Sequence, residues 1–168
     1  MQICAVQYPG DATESGKILW LKQQFFLCSA SLRATISVTG KSELRFKERK
    51  EAERQWSEFP NKVAVQLNDT HPTLAIPELM RLLMDDEGLG WGEAWNITTR
   101  TIAYTNHTVL PEALQKWSRP VMWKLLPRLM EIIEEIDNRF IKFICSERAD
   151  LENKLSQIYW ITTPKSQL

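Results

Sequence analysis

Two short apolar runs, each ending in a polar loop that carries a histidine, constrain this chain more than any other feature. Val63-Ala64-Val65-Gln66-Leu67 is β-branched and apolar, and it runs into Asn68-Asp69-Thr70-His71-Pro72. Ile102-Ala103-Tyr104-Thr105 repeats the pattern and runs into Asn106-His107-Thr108. Such runs predict buried strands. Between them, Ile76, Leu79, Met80, Leu83 and Met84 fall at helical spacing after Thr73, a candidate cap, with Pro77 tolerated in the first turn and Asp85-Asp86-Glu87-Gly88 as the end. Residues Trp91 to Arg100 read as a second helix. Strand, polar loop, helix, helix, strand, polar loop is an α/β arrangement.

The flanking segments are helical. From Lys17 to about Arg33, Ile18, Leu21, Phe25, Cys28 and Leu32 recur every three or four residues, after a turn signal at Tyr8-Pro9-Gly10-Asp11 and a loop through Ser15-Gly16. Ser37 to Ser42 is turn-like, and Arg45 to Arg54 mixes both charge signs densely, as a solvated helix or mobile connection does. Glu112 to Leu126 predicts a helix broken at Pro127, where a new helix starts with Leu129, Ile132, Ile133, Ile136, Phe140 and Phe143 on its apolar side. The end of the chain, from about residue 145, reads as a loose tail.

Composition narrows the function classes. The 168 residues, 43% hydrophobic and 25% charged, suffice for one ordinary core. Lys and Arg total 21 against 21 Asp and Glu, so no overall positive field gathers nucleic acid or anionic lipid. No apolar run is long enough to span a bilayer, and the residues after Met1 do not form a secretory signal. Cys4, Cys28 and Cys145 lack paired zinc or redox spacing and read as free thiols in a reducing compartment.

Chemistry concentrates at the strand ends. In open α/β sheets ligands bind beyond the carboxyl ends of the strands, so His71 and His107 are expected to face one cleft, with Asp69 and Asn106 beside them as hydrogen-bond partners for a polar ligand. The competing reading has each histidine satisfied by backbone. Two histidines without a third matched ligand do not make a metal site. No GxSxG turn, GxGxxG or GxxxxGK[ST] motif occurs. Glu134-Glu135 and Asp85-Asp86 read as solvated helix faces. Asn68-Asp69-Thr70, Asn96-Ile97-Thr98 and Asn106-His107-Thr108 match the glycosylation acceptor pattern but read as chance matches. Of seven tryptophans, Trp91, Trp95, Trp117 and Trp123 lie in or beside helical patterns, where burial is the expectation, against an alternative of rings stacked on sugars.

The run from Val63 through Asn68-Asp69-Thr70-His71-Pro72-Thr73-Leu74-Ala75-Ile76-Pro77-Glu78-Leu79-Met80-Arg81 closely resembles the α-1,4-glucan (starch and glycogen) phosphorylases. Ala103-Tyr104-Thr105-Asn106-His107-Thr108-Val109-Leu110-Pro111-Glu112-Ala113-Leu114 and Lys124-Leu125-Leu126-Pro127-Arg128 follow in the family's order, and Tyr8-Pro9-Gly10-Asp11-Ala12-Thr13-Glu14 with Leu21-Lys22-Gln23-Gln24-Phe25-Phe26 resembles the plant-type branch. The resemblance covers most of residues 2–34 and 56–140. It departs at Trp20, where arginine is usual, at Gly92, at Pro120 and at Leu129, and residues 33–44 look like an insertion or a misread junction.

The resemblance implies a piece of the N-terminal half of a larger enzyme: an incomplete Rossmann-like domain of GT-B type, helix-rich, with a strand-loop-helix core over 62–144. The complete enzyme is a glycosyltransferase that releases glucose 1-phosphate from α-1,4-glucan and phosphate with pyridoxal phosphate, as a homodimer, in cytoplasm or plastid. His107 would hydrogen-bond the reacting glucosyl unit, with Asn106 beside it. Asp69 and His71 would line the glucan acceptor side. Asp11, Ala12, Thr13 and Glu14 fall in a mobile gate loop, residues 8–16. The cofactor lysine and the phosphate-binding cluster fall outside this chain, so no catalytic, cofactor-binding or metal residue is assigned and the chain alone is expected to be inactive. The alternative is a non-catalytic glucan-binding or subunit-interaction module.

Overall fold

A computed structural model describes residues 13–38, 56–110 and 116–147. The chain divides into two compact units between Val121 and Met122. The first begins with a helix, α1 (Glu14–Val38). Thr13 caps it: its hydroxyl accepts the Gly16 N–H at 3.1 Å, and its carbonyl accepts the Lys17 N–H at 3.0 Å. Glu14 in the first turn complements the positive end of the helix dipole. Ser15 and Gly16 are therefore helical, not loop, and Glu14 of the expected gate loop is the first helical residue. Asp11 and Ala12 lie outside the described residues. The helix also runs past Arg33, because Ile36 continues the buried stripe of Leu21, Cys28 and Leu32 by one more turn. Phe25 and Ile18, expected on that stripe, are half-buried at its margin.

A 3-10 turn at Trp56–Glu58 leads into the short α2 (Phe59–Lys62), with the rings of Trp56 and Phe59 5.9 Å apart. The strand β1 (Val65–Asn68) follows. It starts two residues later than the apolar run suggests, since the Val63 N–H closes α2 onto the Phe59 carbonyl. Val63 and Leu67 are buried while Ala64, Gln66 and Asn68 are exposed, the period of two that strand geometry imposes.

Next come α3 (Ala75–Arg81), continuing as a π-helical turn over Leu82–Asp86, and α4 (Trp91–Thr101). Thr73 does not cap α3; its hydroxyl donates to the Thr70 carbonyl at 2.7 Å, which ties down the turn, and Leu74 takes the capping position. Gly88, at φ +75°, ends the π-turn, and the Leu89 N–H reaches back to the Leu83 carbonyl at 3.0 Å. Leu79, Met80 and Leu83 are fully buried as the helical spacing predicts, while Ile76 and Met84 are half-buried.

The strand β2 (Ile102–Thr105) lies parallel to β1, with Val65 opposite Ile102 and Asn68 opposite Thr105. A parallel pair requires a long crossover, here α3 and α4. The helices α1 and α3 pack together, and α4 packs on α2, α3 and β2. The expectation of a buried second strand fails, since only Ile102 is half-buried and Ala103, Tyr104 and Thr105 are exposed. Among the described residues the main neighbours of β2 are β1, its ladder partner, and α4.

Two buried hydroxyls on α4, Thr98 and Thr101, have no hydrogen-bond partner among the described residues. Replacing Thr98, 1% exposed, by isosteric Val removes an unsatisfied polar group without opening a cavity. Thr98→Val is expected to stabilise the chain by about 1 kcal/mol, read as a higher urea midpoint at unchanged slope.

The short α5 (Arg119–Leu125) crosses the division between the units. It replaces the longer helix expected from Glu112: residues 116–118 are not helical, and 111–115 lie outside the described residues. Pro120 explains this, since deeper in a helix its ring would meet the carbonyl four residues back. It sits instead in the first turn, where Ser118 accepts the Val121 N–H at 3.4 Å.

In the second unit, α6 (Pro127–Glu147) starts with proline at its first position, as expected. Leu129, Met130 and Ile132 are buried, Ile133 and Ile136 half-buried, but Phe140 and Phe143 are exposed. The helix runs three residues into the expected tail, and 148–168 lie outside the described residues. The tryptophan expectation is reversed in part: Trp95 and Trp123 are exposed, Trp91 and Trp117 half-buried, and among the described tryptophans Trp56 is the buried one. None of the helices among the described residues is long and apolar enough to cross a membrane.

Candidate functional site

The parallel pairing brings the two polar loops side by side. At the end of β1, Asp69 takes a left-handed backbone, φ +62°, which aspartate tolerates better than most residues. Its N–H donates to the Thr105 carbonyl at 2.8 Å, one step beyond the strand ladder. Its carboxylate accepts the Thr70 N–H at 2.8 Å and, from the other loop, the Thr108 hydroxyl at 3.0 Å.

At the end of β2, Asn106 folds its own turn. Its side-chain oxygen accepts the Thr108 N–H at 2.9 Å, and its amide donates to the Thr108 carbonyl at 3.1 Å. His107 then reaches across to β1, with Nε2 2.6 Å from Asn68 Oδ1. One step back, Gln66 Nε2 donates to the Thr105 hydroxyl at 2.9 Å. Side-chain links therefore join the two strand ends, among them Gln66 to Thr105, Asn68 to His107, and Asp69 to Thr108.

Of the candidate residues, Asp69, Asn106 and His107 stand together. The reading in which the histidines are satisfied by backbone does not describe His107, whose partner is a side chain. His71 is exposed in the turn after Asp69, with no hydrogen bond from its ring among the described residues; its charge reaches Asp69. Partial desolvation works to raise the Asp69 pKa, but it is outweighed by hydrogen bonds from the Thr70 N–H, the Thr108 hydroxyl and the His107 N–H and by the His71 charge, which hold the carboxyl below its usual range.

Behind this site, the buried Cys28 thiol of α1 donates to the Pro72 carbonyl at 3.5 Å, and burial pushes its pKa up. Cys28 and Cys145 are free thiols; Cys4 lies outside the described residues. Asn68 and Asn106 are both engaged in the loops, and Thr98 is buried, so the glycosylation tripeptides sit in structural roles. No group of three His, Cys, Asp or Glu among the described residues could hold a metal ion.

Sequence reading missed Asn68, Gln66 and Thr108 as partners, because their roles depend on register. A signal was present: Gln66 and Asn68 alternate outward on β1, and Asn68 sits opposite Thr105.

The fold and this cluster define an α/β protein with polar side chains gathered beyond the carboxyl ends of parallel strands, the usual ligand position in that class. The carbohydrate phosphorylase family model matches residues 1–167, and the chain belongs to that family. It is 76% identical over 156 residues to an alpha-glucan phosphorylase, H isozyme, of Solanum tuberosum, covering 92% of this chain and 18% of that protein. It is 70% identical over 159 residues to the cytosolic alpha-glucan phosphorylase 2 of Arabidopsis thaliana, covering 94% and 18%. The chloroplastic/amyloplastic L-1 isozyme of Solanum tuberosum is 59% identical over 157 residues, covering 93% and 16%. The chain thus spans less than a fifth of the length of these relatives.

Proposed function

We propose that the chain is the sugar-holding part of the N-terminal half of a plant-type α-1,4-glucan phosphorylase, and that it has no phosphorolytic activity by itself. The complete enzyme in this reading is a homodimeric glycosyltransferase that splits a terminal α-1,4 bond with phosphate, leaving a glucan one unit shorter and glucose 1-phosphate. The observation that carries the reading is the side-by-side placement of Asp69, Asn106 and His107 on linked strand ends. His107 would contact the reacting glucosyl unit, with Asp69 and His71 on the acceptor side. The two parallel strands would be neighbours in a larger Rossmann-like sheet of the GT-B kind. Residues 8–16 would form the gate, with its last residues wound into α1. The higher identity to the H and cytosolic isozymes than to the plastid isozyme supports a cytosolic enzyme.

Pyridoxal phosphate belongs to the complete enzyme, and the described residues do not fit it. A Schiff-base lysine works from a desolvated pocket, whereas Lys17, Lys22, Lys62, Lys116, Lys124 and Lys142, all the lysines among the described residues, are exposed. No reaction step is therefore assigned to this chain through the cofactor.

The test is a phosphorolysis assay on the purified 168-residue chain with soluble glucan, phosphate and added pyridoxal phosphate. No glucose 1-phosphate is expected beside a turning-over full-length control. Turnover that survives repurification overturns the inactivity. Exposed Phe140 and Phe143 on α6 favour a second reading, a subunit-interaction module, and reproducible self-association without glucan binding would select it.

A further inference from the structure

We infer that Asn68 is a positioning residue for His107: its side-chain carbonyl oxygen, 2.6 Å from Nε2, holds the ring as the Nε2–H tautomer and leaves Nδ1 as the bare acceptor offered to the ligand. This rests on the reading that residue 107 faces the sugar, and it adds what the ring demands of that sugar. A carbonyl oxygen has no hydrogen to give, so the proton between the two atoms is the ring's. A neutral imidazole with a proton on Nε2 has only a lone pair on Nδ1. Nδ1 makes no hydrogen bond among the described residues. The ring is thus set to accept a hydrogen bond from a hydroxyl donor, which selects a polyol over an acceptor-only ligand.

The surroundings keep this pairing from being replaced. Asn106, the nearest alternative partner in sequence, has both ends of its amide committed to Thr108. The Asp69 N–H to Thr105 carbonyl bond and the Thr108 hydroxyl on the Asp69 carboxylate hold the two loops in register on either side of the pair. Besides the ring itself, the titratable groups on these two turns are Asp69 and His71.

The chain has two histidines, which makes the ring state directly readable. Histidine-specific ¹⁵N labelling and magic-angle-spinning NMR on the sedimented chain at pH 8 tolerates self-association, and His71→Gln assigns the signals. The wild-type His107 ring is expected to show protonated Nε2 and bare Nδ1. Asn68→Leu, similar in size but without an acceptor, shifts both nitrogens toward the averaged values of a freely exchanging ring. Asn68→Asp, which keeps an acceptor oxygen, restores the Nε2–H signature. Thr108→Val breaks the neighbouring link and leaves the His107 signature in place. A wild-type ring protonated on Nδ1 or averaged between tautomers, no response to Asn68→Leu, or an equal response to Thr108→Val overturns the proposal. Adding maltoheptaose tests the parent reading separately. A fixed Nε2–H signature with no change at Nδ1 keeps the pairing and overturns the placement of His107 at the sugar.

Discussion

Arg81→Ala is expected to destabilise the chain by about 3–5 kcal/mol, the range for removing one partner of a buried ion pair. Glu78 of α3 is completely buried. Its carboxylate accepts Arg81 Nε at 2.8 Å, Arg81 Nη2 at 2.9 Å and, from α1, the Ser29 hydroxyl at 2.7 Å. These bonds to Glu78 raise the already high guanidinium pKa further, so Arg81 stays charged throughout. Without Arg81 the carboxylate keeps only the hydroxyl and loses its counter-charge inside the packing of α1 on α3. Replacing both partners by apolar residues of similar size, Glu78→Leu with Arg81→Met, costs much less than the single change, because no buried charge is then orphaned. Arg33 and Asp86 make a contrasting pair at 3.1 Å with side chains 52% and 32% exposed. Solvent screens such pairs, and Arg33→Ala is worth under about 1 kcal/mol. Urea titrations followed by tryptophan fluorescence rank all three. An Arg81→Ala midpoint no lower than that of Arg33→Ala would show that the buried bonds do not tie α1 to α3.

Glu78 also shows where sequence reading stops. Position 78 falls among the apolar residues of α3, and no local pattern announces its burial, because its partner hydroxyl comes from Ser29, 49 residues away. Periodicity finds what each element needs locally. It found α4 and β2, and it found the π-turn's end at Gly88. It found α1 but stopped short of its last turn, where Thr35, Ser37 and Val38 look like poor helix formers, because the buried position of Ile36 outweighs their propensities. It failed for Trp95 and Trp123, because a ring's burial depends on what covers the helix, which no window of residues contains. Pro120 is visible in the sequence and sets the start of α5, because its ring is tolerated only in the first turn. At the strand ends the histidines stood out by residue type alone. Their linkage did not, since Asn68 meets His107 and Asp69 meets Thr108 only after β1 and β2 pair in one register. A slip of one residue would turn Gln66 and Asn68 to the other face.

Asp69→Ala is expected to have the largest effect on the site, because one side chain serves three purposes there. It ties its own turn through Thr70, ties the second loop through Thr108, and sits at a positive φ where alanine is strained. Two substitutions separate these contributions. Asp69→Gly relieves the backbone strain and still loses both bonds; Asp69→Asn keeps an acceptor and the tolerance for positive φ but loses the charge. The expected order of damage is Ala, then Gly, then Asn, read as faster hydrogen exchange at the Thr70 and His107 amides and a drift of the His107 ring signals. The charge contribution has its own signature. Because the folded carboxyl lies below its unfolded value, its stabilisation is fully present above an unfolded pKa of about 3.9 and is lost as pH falls through the folded value. Wild type should therefore lose loop protection on acidification below about pH 4, while Asp69→Asn, already weakened, stays flat across that window. Equal acid sensitivity in the two proteins would assign the link to the loops' backbone bonds. If Asp69→Ala left the His107 amide and ring unchanged, the Asp69 N–H to Thr105 carbonyl bond alone would hold the strand ends, and the site would owe its shape to the parallel ladder and not to the carboxylate.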